Sequence, residues 1–265
     1  MHREERVGIL CNTRVEWLLC DLGILSAGGA TTTVYPSSTA EECAFILADS
    51  DTRYVFAEDA GQLKKLRAHR GEMPKLSKVI LIEGPASGDA DDWVMSLAQL
   101  EAKGAELLAN DPRAIDDIVK SIEGTQLATL IYTSGTTGKP KGVRLLHECW
   151  AYCADAIEAC RLWGPDDVQY LWLPMSHSFG KVLMAGHIAS GSVTAVDGRI
   201  PKLVDNLAVV RPTIMAAVPR IFEKVYNRII EKSKQGSPIK QKIFELAVET
   251  GKEVSRVRQQ GREPQ

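Results

Sequence analysis

A run rich in Ser, Thr and Gly stands between an apolar segment and two lysines, and it carries the clearest chemical signal in the chain. It reads Tyr132-Thr133-Ser134-Gly135-Thr136-Thr137-Gly138-Lys139-Pro140-Lys141-Gly142-Val143. Glycines let backbone N–H groups approach an anion closely, and the hydroxyl groups add further donors. Lys139 and Lys141 supply positive charge, and Pro140 between them limits how the loop can move. The run therefore predicts a phosphate-binding loop.

The segments on either side predict where this loop lies. An apolar strand over residues 128–132 precedes it, and a helical pattern over residues 145–160 follows it. A loop between a strand and a helix would hold phosphate at the carboxyl edge of a sheet. It is not a Walker A loop, because only two residues separate Gly135 from Gly138 and a proline follows Lys139. A flexible linker would explain the composition, but not the apolar strand before it.

The elements that must position this loop alternate along the chain. Apolar strand-like runs at residues 7–10, 31–35, 54–56 and 78–82 are separated by helical patterns. Asn12 is predicted to cap a helix whose apolar face holds Val15, Leu18, Leu19, Leu22 and Leu25. Thr39 with Glu42 reads as a capping box. This alternation predicts an α/β fold with αβα layers and mainly parallel sheets.

A break at Asn110-Asp111-Pro112 suggests two lobes. The first α/β lobe is predicted over residues 1–112, and the second, which carries the loop, over residues 113–265. The alternation continues with predicted strands at residues 170–173, 193–196 and 213–218. From Arg220 onward the chain is helical and basic, with eleven Lys and Arg against six Asp and Glu. A solvated helix face is the simplest interpretation, with an acidic cofactor or a membrane surface as alternatives.

Composition excludes several function classes. The formal net charge is −2, so no electrostatic case for a nucleic-acid partner arises. No run is apolar enough to span a bilayer, and the N-terminus does not resemble a secretory signal. Of the six cysteines, Cys149, Cys153 and Cys160 share one helical face. They could bind zinc with His147, but small apolar residues packed in a reducing cytosol are the simpler interpretation.

The loop closely resembles the signature of the AMP-forming adenylate superfamily, which includes acyl-CoA synthetases, luciferases and peptide-synthetase adenylation domains. Leu173-Pro174-Met175-Ser176-His177-Ser178-Phe179-Gly180 is similar to the superfamily's Pro-x-x-His segment. Ala217-Val218-Pro219-Arg220-Ile221-Phe222-Glu223-Lys224-Val225 resembles the long-chain fatty acid–CoA ligase branch. The run from Arg6 through Trp17 is similar to the same branch, so the resemblance covers nearly the whole chain.

The resemblance implies a two-step reaction of a fatty acid with ATP and CoA. The carboxylate attacks the α-phosphorus of ATP to give acyl-AMP and pyrophosphate, and the thiol of CoA then displaces AMP. By analogy, Thr133 contacts Mg²⁺ and the phosphates, while Lys139 adds charge. The residues that wrap the β- and γ-phosphates are Ser134, Gly135, Thr136, Thr137 and Gly138. Lys141 is a weaker candidate, because it could point back to the protein.

His177 is the candidate catalytic residue, near the acyl carboxylate and the α-phosphate, where a donor would steady developing negative charge. A buried histidine bonded to the backbone is the alternative. Trp163, Tyr170 and Trp172 are candidates for lining an acyl tunnel, although Trp172 on an alternating strand is more often core. The cytoplasm is the expected location, with peripheral membrane contact left open.

The resemblance is incomplete. The superfamily's Tyr-Gly-x-Thr-Glu and Thr-Gly-Asp segments are absent, and so is the small C-terminal domain with its catalytic lysine. The first N-terminal strands are also expected to be missing. We therefore expect a partial N-terminal domain that is weak or inactive alone. The alternatives are a ligase for another carboxylic acid and a non-catalytic remnant that binds nucleotide or a partner.

Overall fold

The computed structural model describes residues 2–84, 92–133 and 138–263. The strands are β1 (Arg6–Leu10), β2 (Ala30–Val34), β3 (Tyr54–Ala57), β4 (Lys78–Leu81), β5 (Val94–Ser96), β6 (Leu127–Thr133), β7 (Lys141–Leu146), β8 (Val168–Leu171) and β9 (Val193–Val196). The helices are α1 (Val15–Ser26), α2 (Ala40–Asp49), α3 (Ala60–Ala68), α4 (Leu97–Asn110), α5 (Asp116–Lys120), α6 (His147–Ala159), α7 (Ser178–Ser190), α8 (Leu203–Val210), α9 (Pro219–Lys234) and α10 (Pro238–Gln259). Two compact units divide the chain, Met1–Ala216 and Ala217–Gln265.

The first unit contains a main sheet of seven strands in the order β5-β4-β3-β1-β2-β6-β7. All neighbours pair in parallel except β6 and β7, which are antiparallel. A small parallel sheet of β8 and β9 lies in the same unit. The predicted α/β fold with mainly parallel sheets is confirmed. Parallel strands place their carboxyl ends at one edge, which is where such folds bind ligands.

Burial on both faces explains the composition of the central strands. Every residue of β2 is buried, including three consecutive threonines, Thr31, Thr32 and Thr33. Burying a hydroxyl group is costly unless it is hydrogen-bonded. Each of these threonines has a partner: Thr31 donates to Asp21, Thr32 accepts from Thr52, and Thr33 donates to backbone carbonyl groups.

The predicted start signals of two helices had different outcomes. The capping box of Thr39 and Glu42 is present at the start of α2. The predicted cap by Asn12 is wrong, because α1 begins after Arg14 and Asn12 instead donates to the Glu58 carboxylate. The predicted inner face of α1 is also wrong. The buried residues are Trp17, Cys20, Asp21 and Ile24, whereas Val15, Leu19 and Leu22 are exposed.

The segment after the loop also differs from the prediction. The helical pattern over residues 145–160 begins only at His147, because residues 141–146 form strand β7. Strand β7 returns antiparallel to β6, with Lys141 opposite Thr133. The loop therefore connects two strands rather than a strand and a helix. Of the predicted strand at residues 213–218, only a single bridge between Gln169 and Ile214 forms.

The predicted lobe boundary at residue 112 stays a prediction. Strands from both sides of that position belong to one sheet, because β2 pairs with β6. The Gly- and Pro-bearing excursion expected near residues 83–92 falls mostly outside the described residues.

In the second unit, α9 and α10 form a helical hairpin, in which the Gln241 side chain donates to the carbonyl groups of Lys234 and Gly236. Within the described ranges, no helix is long and apolar enough to cross a membrane.

Close packing around β1 gives a test of the fold. A Cβ atom on Gly8 would lie 2.4 Å from Val55 Cγ2 and 2.8 Å from Leu47 Cδ2. We expect Gly8→Ala to lower the free energy of unfolding by about 1–3 kcal/mol through overpacking. Gly23→Ala is the matched control, since nothing lies within 4 Å of its added Cβ. It should raise stability by about 0.5–1 kcal/mol, because alanine favours a helix interior. Urea unfolding of both variants measures this, and equal effects would contradict the packing.

Candidate functional site

The carboxyl ends of strands from both sheets meet around one cavity of about 380 Å³ in the first unit. The segments after β1, β2, β8 and β9 all contribute to its wall. The lining residues are Cys11, Asn12, Thr13, Tyr35, Pro36, Ser37, Gln62, Trp172, Pro174, Met175, Ser176, Gly198 and Ile200. Its volume falls in the range of small-molecule sites. Burial raises the pKa of the Cys11 thiol, so this wall residue stays neutral and is a poor nucleophile.

The buried side chain of Thr13 joins the two sheets at this edge. Its hydroxyl group donates to the carbonyl oxygen of Leu173 at 2.7 Å and accepts from the amide of Met175 at 3.2 Å. The amide of Gly198 donates to the Thr13 carbonyl oxygen at 2.9 Å. The loops after β8 and β9 are thus both fixed to the loop after β1. Thr13 was missed in the sequence, because a lone threonine beside a helix start carries no chemical pattern.

The predicted catalytic residue, His177, lies on the segment that Thr13 fixes. Its side chain is exposed, and it occupies the N-cap position of α7, where its Nδ1 accepts from the amide of Phe179 at 3.1 Å. A ring that accepts through Nδ1 carries its hydrogen on Nε2 when neutral. The preceding residue, Ser176, accepts from the Thr33 hydroxyl group at 3.1 Å. The alternative is wrong about burial, because the side chain is exposed, but the predicted bond to the backbone is present.

The structure describes part of the predicted phosphate loop. Thr133 ends β6 and is exposed, next to Tyr132, whose hydroxyl group donates to Asp49 at 2.7 Å. Gly138 has a φ of +100°, a conformation that glycine adopts readily. The exposed Lys139 places its Nζ 5.4 Å from the centre of the Phe45 ring. The predicted residues Ser134, Gly135, Thr136 and Thr137 lie outside the described residues.

The remaining aromatic and histidine candidates are packed or hydrogen-bonded within the fold. Trp172 is buried, donates to the Ala216 carbonyl oxygen at 3.0 Å and still forms part of the cavity wall. Tyr170 is buried, and Trp163 donates to Ser190. His147 is half-buried, and burial and nearby Lys181 both lower its pKa. Among the residues described, no group of three or more His, Cys, Asp or Glu could hold a metal ion.

A second cavity, of about 620 Å³, lies beside the first and carries compensated charges. Arg14 contacts Glu16 and Glu83 at 2.6 Å and Glu58 at 3.7 Å. Arg199 is held by Asp197 at 2.6 Å, and that contact keeps the pKa of the Asp197 carboxyl group well below its usual range. Because both guanidinium groups are already paired, this cavity is poorly suited to bind an anion.

A comparison with protein families identifies the chain. The family model described as "AMP-binding enzyme" matches residues 1–260. The chain belongs to this family. Residues 132–143 and the His177 segment both lie within the matched range. The family and its ligase relatives confirm the predicted kinship with acyl-CoA synthetases.

Individual relatives are long-chain-fatty-acid–CoA ligases. FadD15 of Mycobacterium tuberculosis is 31% identical over 251 residues, which are 93% of this chain and 39% of that protein. The Drosophila melanogaster ligase heimdall is 33% identical over 253 residues, covering 89% of this chain and 36% of its own length. The chain thus spans less than half the length of these relatives.

Solved structures show the same fold. The long-chain-fatty-acid–CoA ligase FadD1 of Archaeoglobus fulgidus matches with a TM-score of 0.68 at 18% identity, over 88% of this chain and 43% of that one. The A-PCP didomain of the carboxylic acid reductase of Segniliparus rugosus, in complex with AMP, matches with a TM-score of 0.67 at 18% identity. It covers 92% of this chain and 36% of that one. At this identity, the likeness concerns the fold alone.

The junction at Thr13 can be tested by removing its hydroxyl group. We expect Thr13→Val to lower the free energy of unfolding by about 1–3 kcal/mol, because the Leu173 carbonyl and the Met175 amide lose a buried partner. Thr13→Ser keeps the hydroxyl group and should cost only about 1 kcal/mol for the lost methyl. Denaturant unfolding compares the two. Equal losses would show that the methyl group, not the hydrogen bonds, holds the junction.

Proposed function

We propose that this chain is the phosphate-binding part of an enzyme that activates a long-chain fatty acid with ATP and transfers the acyl group to CoA. The observation that carries the proposal is the shared edge, where β6 ends in the phosphate loop and the cavity lies beside the His177 segment. The relatives named above are ligases of this type. The activity of the whole enzyme is part of the proposal, because the chain spans only a fraction of their length.

The first step needs negative charge to be held at two places. Lys139 and Lys141 flank the phosphate loop and neutralise pyrophosphate as it leaves, which stabilises a phosphoryl-type transition state mainly through charge and position. His177 donates through Nε2–H toward the acyl carboxylate and the α-phosphate. Its Nδ1 is already occupied by the Phe179 amide, so the donor is oriented before substrate arrives.

The site suits a Mg²⁺ ion that binds together with the nucleotide phosphates. The Thr133 hydroxyl group is an exposed oxygen at the end of β6, and oxygen is the ligand atom that Mg²⁺ prefers. A site with one protein oxygen suits an ion that is otherwise held by nucleotide phosphates and water. When bound, the ion neutralises phosphate charge, while Thr133 and the lysines orient the phosphate groups.

The side chains that line the cavity indicate which kind of substrate it would hold. Its wall includes the apolar side chains of Trp172, Met175 and Ile200, which suit an acyl chain better than a charged group. Another carboxylic acid is the alternative substrate. A second alternative, a non-catalytic remnant, would keep the fold but bind neither ATP nor pyrophosphate at the loop.

Pyrophosphate binding by this chain tests the loop. We expect calorimetry to detect binding, and Lys139→Ala and Thr133→Ala each to weaken it by about tenfold to hundredfold through loss of a hydrogen bond to a charged group. Lys103→Ala is the matched control, since α4 follows β5 at the opposite edge of the main sheet. It should leave the affinity unchanged. Absence of binding by the unmodified chain would favour the remnant.

We further propose a cytoplasmic enzyme that attaches peripherally to anionic membranes through its second unit. The α9 helix exposes Phe222, Tyr226 and Ile229, and α10 exposes Ile239, Ile243 and Leu246. In each helix these residues follow the same spacing, which gives one apolar stripe. From Arg220 onward, eleven basic residues stand against six acidic ones. Apolar stripes among lysines and arginines are typical of helices that lie on lipid surfaces.

Vesicle sedimentation tests this surface. The chain should bind vesicles of phosphatidylcholine with phosphatidylserine more tightly than vesicles of phosphatidylcholine alone, and salt should weaken the binding. We expect Leu246→Ser to weaken it by about tenfold or more, because the exposed leucine side chain would no longer enter the lipid. Leu19→Ser, at a similarly exposed position on α1, is the control and should have no effect. Equal losses in both variants would rule out a docking face on α10.

A further inference from the structure

A charged lysine is buried one turn into α7, outside the predicted machinery. The side chains of Lys181 and Asp21 are 1% and 0% exposed, and the Lys181 Nζ lies 2.9 Å from both carboxylate oxygens of Asp21. Its third donor reaches the Thr129 hydroxyl group at 2.9 Å. A buried charge is tolerated only where its partners satisfy it fully, so this lysine can occupy essentially one position.

The surroundings of the pair connect five elements of the first unit. Asp21 lies on α1 and accepts from Thr31 of β2 at 2.6 Å. Thr129 lies on β6 and also accepts from the Trp150 indole of α6 at 3.2 Å. The ammonium group lies 5.2 Å from the centre of the Trp150 ring, within cation–π range. Through these contacts, α7 is fixed to the strand that ends in the phosphate loop.

The same residue holds His177 through the backbone. The amide of Lys181 donates to the carbonyl oxygen of His177 at 3.3 Å, which is the first hydrogen bond of α7. The helix start is also packed closely, because a Cβ on Gly180 would lie 2.4 Å from the Pro174 carbonyl oxygen. A shift of Lys181 would therefore also move His177, the N-cap residue, because the backbone between them is closely packed.

We propose that Lys181, paired with Asp21, is a positioning residue. It sets the position and ring orientation of His177 relative to the end of β6. In this way it aligns the His177 ring, which donates to the acyl carboxylate, with the phosphate loop. This inference rests on the proposed function for its catalytic meaning. The positioning itself is a property of the folded chain and is measurable without turnover.

The decisive variant replaces both charges with apolar side chains of similar size, Lys181→Met with Asp21→Leu. Such exchanges often preserve stability, whereas removing one partner leaves a buried charge. NMR of the full chain then reports on His177. We expect the ¹⁵N shifts of its ring to move toward a mixture of tautomers, and amide exchange at Phe179 to accelerate by about tenfold as the cap opens. Pyrophosphate affinity should stay within about twofold, since the loop residues are untouched.

Thr129→Val is the second variant, in case the double replacement does not fold. It keeps the side-chain shape and removes the hydroxyl group through which both Lys181 and Trp150 contact β6, so the same changes should appear with about threefold faster Phe179 exchange. Ring shifts and Phe179 exchange that match the unmodified chain, in a folded variant of either kind, would overturn the proposal and leave Lys181 a stabilising residue only. Absence of pyrophosphate binding in the unmodified chain would overturn the proposed function instead, without altering the NMR test.

Discussion

The buried ion pair between Lys181 and Asp21 is the constraint on which the arrangement of the first unit depends. Two charges with almost no exposed surface must find all their partners inside the protein, because desolvation would otherwise exceed their mutual attraction. The partners come from α1, β2, β6 and α7, so these elements can satisfy the pair in only one relative placement. An apolar contact at the same place would tolerate sliding. Here the polar geometry fixes the inner face of α1 and the position of α7 together.

The carboxyl edge of the sheets is organised by a similar use of small buried hydroxyl groups. Thr13 holds the loops after β8 and β9 beside the loop after β1, and Thr33 binds the carbonyl oxygen of Ser176. Parallel strands bring loops to one edge, but they do not fix the loops against one another. Hydrogen bonds from interior side chains to loop backbone do so at short range. The cavity and the His177 segment therefore belong to one rigid edge, and loops carry the function on that scaffold.

Much of this was predictable from local signals in the sequence. The capping box at Thr39 and the parallel strands rest on patterns within a few residues, and the fold and family were confirmed, whereas the role of the phosphate loop stays a prediction. The inner face of α1 was not predictable, because its hydrophobic residues surround the helix and the buried face contains Asp21. That choice depends on Lys181, which is 160 residues away. Strand β7 was missed for a related reason, since its pairing with β6 does not show in its own short and mostly exposed sequence.

Strand β7 changes how the loop must bind an anion. A loop followed directly by a helix can use the positive end of the helix dipole and its free N–H groups. Here β7 follows from Lys141, and α6 begins only at His147, beyond the reach of an effect that fades within one helical turn. Positive charge at the loop must therefore come from side chains. Lys139 and Lys141 flank it, and Lys141 lies opposite Thr133 in the antiparallel register, so the strand pair itself places a cation beside the residue that ends β6.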